Sequence, residues 1–478
     1  MKKVLIVVLI ILVLGLVGYV VYKQFIEETS PVADNQQPGE NNDNQSINLD
    51  TSGASHPNLH NNMIPIRWSG ENWVVADKNN SITDYQWYDY NERQWANAVT
   101  VTSETREKYK NANPGTTVEM EDILTMMVWI PRYRYQLWNA NNESSDPQEI
   151  NIIFEGKDTT PSCGGNECTT NRRYNTGTNG EWLTHPAFTF GEKELDGFWI
   201  GKFETSSSTV CSPAEHSPNG TGCNRTDLIP RVIPNVTSWR GIDRSNVNTV
   251  ARNMSANNNQ FGYEASVETH ALTNMQWGAV SYLSHSKYGR CINGECSEIT
   301  INNSSTYTTG CAGNGVSAAP FNGCQNQYHT SAGGLASTTG NIYGVYDMSG
   351  GAWDIVMGNS VASGQKIGTL NVQLGGTFNP PLEFPKHFDS YAHSRSQFTT
   401  ERGWLGDATK ETIERFGVSD ERGWHGGWYG VYSNFIAESR SWMFRGGLFL
   451  YGNRTGSFSF GRRDGQAYVF LTWRLAHL

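Results

Sequence analysis

The 478-residue chain predicts an α+β domain of short strands, few helices and much irregular structure, preceded by one transmembrane helix. Three observations carry this expectation. An uncharged apolar run opens the chain. A polar tract without Lys or Arg follows it. The remainder is rich in Gly, Asn, Ser and aromatic residues and shows little helical periodicity.

Lys2 and Lys3 precede the apolar run Val4–Tyr22, and Lys23 closes it. A helix rising about 1.5 Å per residue crosses a hydrocarbon core of about 30 Å with such a run. A cleavable signal peptide is the competing reading, but its apolar region is shorter and ends in small residues. This run ends in Val20, Val21, Tyr22 and Lys23. Residues 1–26 are therefore expected to form an uncleaved signal anchor. Lys2 and Lys3 favour the inside and Glu27 and Glu28 the far side. The expected location is the cell membrane, single-pass, with the C-terminal domain extracellular. Residues 27–61 hold almost no large apolar residue and are expected to be a disordered stalk, spanning roughly 30–35 Å.

From residue 62 the composition is that of an exported protein. Charged residues are 17% of the chain, with Gly 49, Trp 16 and Tyr 21. The net charge of −10 argues against nucleic acid as a partner. Short apolar runs such as Met126–Ile130, Phe198–Phe203 and Ile342–Met348 read as strands. Residues 62–190 form the strand-rich N-terminal part, in which IPIRWSGENWVVAD and MMVWIPRYRYQLW look like paired strands. Helices are expected at Thr105–Asn111 and Val267–Ser284. Eight cysteines fall into four close pairs: Cys163/Cys168, Cys211/Cys223, Cys291/Cys296 and Cys311/Cys324. CGGNEC and CINGEC share a turn-forming core that suits a local disulfide. Zinc is the runner-up, but C-x2-C spacing and nearby His are missing.

Gly340–Asp354 reads GNIYGVYDMSGGAWD, Arg445-Gly446-Gly447 follows, and Thr472-Trp473-Arg474-Leu475 lies near the end. These blocks resemble motifs of the formylglycine-generating (sulfatase-modifying factor) superfamily over roughly residues 180–478. The resemblance implies a C-type-lectin-like domain over 191–478. Enzymes of that superfamily need a reactive cysteine pair in their C-terminal part for a copper-dependent oxidation. This chain has no Cys after Cys324, so oxidase activity is not expected.

Catalytic residues are expected to be none. H-E-x-x-H and G-x-S-x-G are absent. His285 reads as a packed or capping His rather than a base, and Asp347 and Asp354 as loop-bonding acids rather than a hydrolytic pair. No cofactor is expected. Structural calcium is compatible with the superfamily, yet Asp77, Asp84 and Asp89 lack EF-hand spacing, which leaves the metal question open.

The strongest functional signal is the segment 445–478. Arg445-Gly446-Gly447, Gly452, Gly456, Phe458, Phe460, Gly465, Ala467 and Arg474 read as fixed points. Between them lie blocks of unlike residues: Leu448–Tyr451, Gly461–Asp464 and Tyr468–Leu471. This pattern resembles the variable region of proteins diversified by diversity-generating retroelements. There, template codons of the A-A-pyrimidine type become N-N-pyrimidine, which cannot encode Lys, Glu, Gln, Met or Trp. None of those five occurs in the three blocks. The expected ligand-binding residues are Leu448, Phe449, Leu450, Tyr451, Asn453, Arg454, Arg462, Arg463, Asp464, Tyr468, Val469, Phe470 and Leu471. Aromatic residues and Arg dominate binding hot spots. The segment is basic within an acidic protein, so acidic patches on a partner would suit it. The bland alternative makes Leu448, Leu450, Val469 and Leu471 core strand residues.

The expected function is thus a surface-displayed, membrane-anchored protein with a diversifiable C-terminal face. Its partners would be the membrane, through the N-terminal helix, and a protein or glycan ligand on an external surface. The alternative is a sulfatase-modifying-factor-like enzyme or accessory factor with altered chemistry. The aromatic run Gly423–Ser433 (GWHGGWYGVYS), with Trp404 nearby, reads first as buried core, and the third functional reading is a constant adhesin that binds glycans through Trp424 and Trp428.

Overall fold

The computed structural model describes residues 50–158, 176–209, 223–372, 376–420 and 423–478. Much of the chain is irregular, with several small sheets and few helices, in the α+β manner. Two larger sheets organise it. The first has seven antiparallel strands in the order Thr269–Ala271, Leu475–His477, Gly197–Gly201, Ile123–Pro131, Asn97–Val101, Ile64–Trp68 and Trp73–Val75. Ile123–Pro131 (ILTMMVWIP) is buried at all nine positions. A strand covered on both faces has no polar side to alternate with, which explains its near-continuous apolar run.

The second sheet is built on Trp353–Ser360. Trp442–Gly446 pairs with it antiparallel, and Asp389–Tyr391 and Leu471–Trp473 pair with it in parallel. Gly456–Arg463 adds to Trp442–Gly446. The last two strands, Leu471–Trp473 and Leu475–His477, belong to different sheets, and Arg474 stands at the crossing. Its guanidinium is completely buried and pairs with Asp354 at 3.0 Å.

The first long helix, Ser103–Lys110, falls close to expectation. The second begins later than its periodicity suggests. Thr269–Ala271 is a strand, and the helix proper is Asn274–Ser284. Thr273 sets this start. Its hydroxyl accepts from the Gln276 backbone N–H, and the Gln276 side chain accepts from the Thr273 N–H. This reciprocal capping box ends the preceding strand. Met126–Ile130 and most of Phe198–Phe203 lie in strands, whereas Ile342–Met348 is turn and coil. Ile64–Trp68 and Trp73–Val75 form a hairpin. MMVWIPRYRYQLW instead continues from the seven-stranded sheet into Tyr133–Gln136 of a three-stranded one.

The transmembrane part of the fold-class expectation, and with it the single-pass cell-membrane location, does not stand. Among the described residues no helix is long and apolar enough to cross a membrane. The anchor over 1–26 and the stalk up to residue 49 lie outside the described residues. Residues 50–61, grouped with the stalk by composition, run along the domain. Trp199 Nε1 donates to the Asn58 carbonyl at 2.8 Å, and Leu59 packs on the core.

Two of the expected disulfides are present, Cys291–Cys296 and Cys311–Cys324. Cys223 is disulfide-bonded, while Cys163, Cys168 and Cys211 lie outside the described residues. His285 lies beside Cys291 and Cys296, but both sulfurs are committed to the disulfide, so this trio does not offer zinc its thiolates.

One buried acid gives a testable pH signature. The Glu411 carboxylate is fully buried and accepts from the Gly406 N–H at 2.6 Å and the Tyr282 hydroxyl at 2.8 Å. Burial pushes its pKa up to about 7. Between pH 4.5 and 7 the unfolded chain has lost this proton and the folded chain keeps it, so stability falls as pH rises. Relative to Glu411→Gln, the wild type should lose about 3 kcal/mol across that window. Denaturant midpoints of both proteins at the two pH values measure this. A constant difference would contradict it.

Candidate functional site

The motif blocks meet around a buried charge cluster. In GNIYGVYDMSGGAWD, Asp347 accepts from Asn302 Nδ2 at 2.9 Å, from the Gly310 N–H and from the Glu204 N–H. Asp354 pairs with Arg474 of the terminal block. Gly350 and Gly351 have φ of +83° and +66°. A Cβ on Gly350 would stand 2.3 Å from the Asn302 carbonyl, and one on Gly351 would stand 2.6 Å from Glu204 Oε1. Only glycine fits this turn. Burial, then Asp347 and Asp354, hold the Glu204 carboxyl well above the usual range. Glu204, Asp347, Asp354 and Arg474 are all closed off from solvent, so these acids hold motif to motif.

Arg445 of the Arg-Gly-Gly block is equally buried. It donates to the carbonyls of Ala408 at 2.9 Å and Ser457 at 3.2 Å. Gly446 and Gly447, at φ +89° and +90°, turn the chain out of the sheet. There begins the short 3-10 segment Phe449–Arg454, which returns to the strand Gly456–Arg463. A loop between the strands Gly456–Arg463 and Leu471–Trp473 then carries Asp464–Phe470.

The thirteen candidate residues divide by environment. Leu450 is 60% exposed and Tyr451 39%. Asn453 is exposed, and Arg462, Arg463, Asp464, Tyr468, Val469 and Phe470 are half-buried. Leu448, Phe449, Arg454 and Leu471 are buried. Leu471 is a parallel partner of Trp353, and Phe449 sets its ring edge-on to Tyr307 at 5.0 Å.

Five of them gather at one cleft of about 120 Å³: Leu448, Tyr451, Arg462, Arg463 and Phe470. They converge from all three blocks. The remaining wall is Trp353, Tyr432, Arg440 and Phe444. Tyr432 and Tyr451 stack at 5.7 Å, and Trp353 meets them edge-on at 5.5 and 5.9 Å. The Arg463 guanidinium lies 5.4 Å from the centres of both the Tyr468 and Phe470 rings. The Tyr468 hydroxyl donates to Asp464 at 2.9 Å. Burial, and then the neighbouring Arg440, pull the Arg462 pKa below its ordinary value. Asn453 and Arg454 line a second cleft of about 510 Å³ with Asp420, His425 and Tyr429. Arg454 is paired there with Asp420 at 2.5 Å.

Trp353 and Tyr432 were visible as aromatic residues in notable runs, but nothing in the sequence tied either to the tail. Arg440 carried no signal at all. Of the adhesin candidates, Trp428 is completely buried, so its ring offers no face to a sugar. Trp424 packs its ring against Phe398 at 4.3 Å, and Trp404 is buried. His285 is buried and bonds Tyr429 through Nε2 at 2.6 Å. Asp77 accepts from the backbone of Asn79, Ser81 and Ile82, which makes it a turn-forming acid.

No family model matches the chain, and no curated protein matches it.

Proposed function

We propose that this protein is a non-enzymatic ligand-binding protein with a diversifiable recognition face at residues 448–471. The reading keeps the resemblance to the formylglycine-generating superfamily and to the variable proteins of diversity-generating retroelements. The observation that carries it is a division of labour within one segment. The fixed points Arg445, Gly446, Gly447, Phe458, Phe460, Ala467 and Arg474 are buried, while residues from three separate blocks between them line one cleft. The exposed and half-buried side chains at such a cleft can change without disturbing the scaffold beneath, because surface substitutions cost little. Aromatic residues and arginines give this version of the face its binding chemistry.

The DNA beside the gene tests the proposal. A near-copy of the last codons, differing at adenines, and a reverse transcriptase gene should lie close by. If neither is there, retroelement diversification is wrong.

A further inference from the structure

The charge balance of the 120 Å³ cleft specifies a ligand class. Arg440, Arg462 and Arg463 line it, and no carboxylate does. Elsewhere some buried arginines are neutralised by carboxylates, Arg132 and Arg134 by Glu155 and Arg474 by Asp354, and others, such as Arg445, donate to backbone carbonyls. Among the described residues, none of the three cleft arginines has a carboxylate partner. Arg462 hydrogen-bonds only the neutral amide of Gln397. The buried Nε atoms of Arg462 and Arg463 have no hydrogen-bond partner. Half-buried Arg462 and Arg463, with Arg440 exposed beside them, concentrate positive charge at one cleft of a chain of net charge −10, a local excess that an anion would relieve. Guanidinium forks match carboxylates in shape as well as charge.

Resting on the recognition face proposed above, we infer that this cleft takes an acidic peptide segment, with a carboxylate side chain among the arginines and an apolar neighbour on Tyr451 and Phe470. The aromatic floor favours peptide over acidic sugar. A sugar stacks on an open ring face, but Trp353 is 2% exposed and Tyr432 and Tyr451 stack on each other. A space of about 120 Å³ suits one side-chain head group.

Fluorescence polarisation with the full chain tests this. The probes are labelled peptides of alternating Glu and Leu or Phe, the same peptides with Gln for Glu, and a uronic-acid oligosaccharide. The Glu peptides should bind, the Gln set at least about tenfold more weakly, and added salt should weaken binding. Arg463→Gln and Arg440→Gln should each cost about tenfold. Lys108→Gln, on the exposed helix Ser103–Lys110, should change nothing. Glu peptides that fail to bind at millimolar concentration, or bind regardless of Arg440 and Arg463, overturn the inference. Equal binding of the Gln set overturns the acidic class, and oligosaccharide binding with silent peptides overturns the peptide. The neighbouring DNA judges the recognition face separately, so the two ideas fail by different results.

Discussion

Replacing Arg474 with methionine should cost about 3–5 kcal/mol, a large share of the roughly 5–15 kcal/mol that holds a typical domain folded. Arg474 is the cation set directly among Glu204, Asp347 and Asp354, and all four groups are shut away from water. It also donates to the Gly201 carbonyl at 3.0 Å, tying the second sheet to the first. Removing one partner of a buried pair leaves an uncompensated charge, which is more damaging than never having had the pair. Guanidinium denaturation followed by tryptophan fluorescence measures the loss. Adding Asp354→Asn to Arg474→Met should restore part of it, because the orphaned charge is then gone. A single-variant loss under about 1.5 kcal/mol would mean that the cluster rearranges without its cation.

Gly447→Ala should cost about 3 kcal/mol. Its φ of +90° is unfavourable for any L side chain, and the new Cβ would stand 2.7 Å from Thr455 Cα. Backbone cannot swing aside as a flexible side chain can. The turn that launches residues 448–454 would be displaced, and the cleft with it. Leu450→Ala, three residues on at a 60% exposed position, should stay within about 0.5 kcal/mol of wild type. The same denaturation series reads both. Equal effects would erase the distinction between scaffold and face.

What could be read from the sequence had local causes. Glycines that must hold positive φ, such as Gly350, Gly351 and Gly447, marked their turns because only one residue type fits. Cys291–Cys296 and Cys311–Cys324 were legible because each closes a short loop. Ile342–Met348 misled because a buried apolar segment of irregular backbone has the composition of a strand. Val267–Ser284 misled because a completely buried helix shows no polar face to set its period, and its start depends on one capping threonine. The partnership of Asp354 with Arg474 spans 120 residues, and Arg440 reaches the cleft only through tertiary packing. No local pattern encodes either. The apolar run at the chain's start led to a membrane anchor, yet no described helix supports one.

Packing also narrows the proposed face. Gly461 lies inside a block of unlike residues, but a Cβ there would stand 2.2 Å from the Phe444 ring. Leu471 is completely buried against the second sheet. Both positions belong with the scaffold. On the proposed reading, the residues open to change are Leu450, Tyr451, Asn453, Arg462, Arg463, Asp464, Tyr468, Val469 and Phe470, which are exposed or half-buried.

Deep sequencing of this gene across many sibling clones is the most direct test. Substitutions should concentrate at those nine positions and use codons ending in pyrimidine, while Gly461, Leu471 and Arg474 stay fixed. An invariant segment, or substitutions spread evenly over residues 62–478, would contradict a diversifiable face.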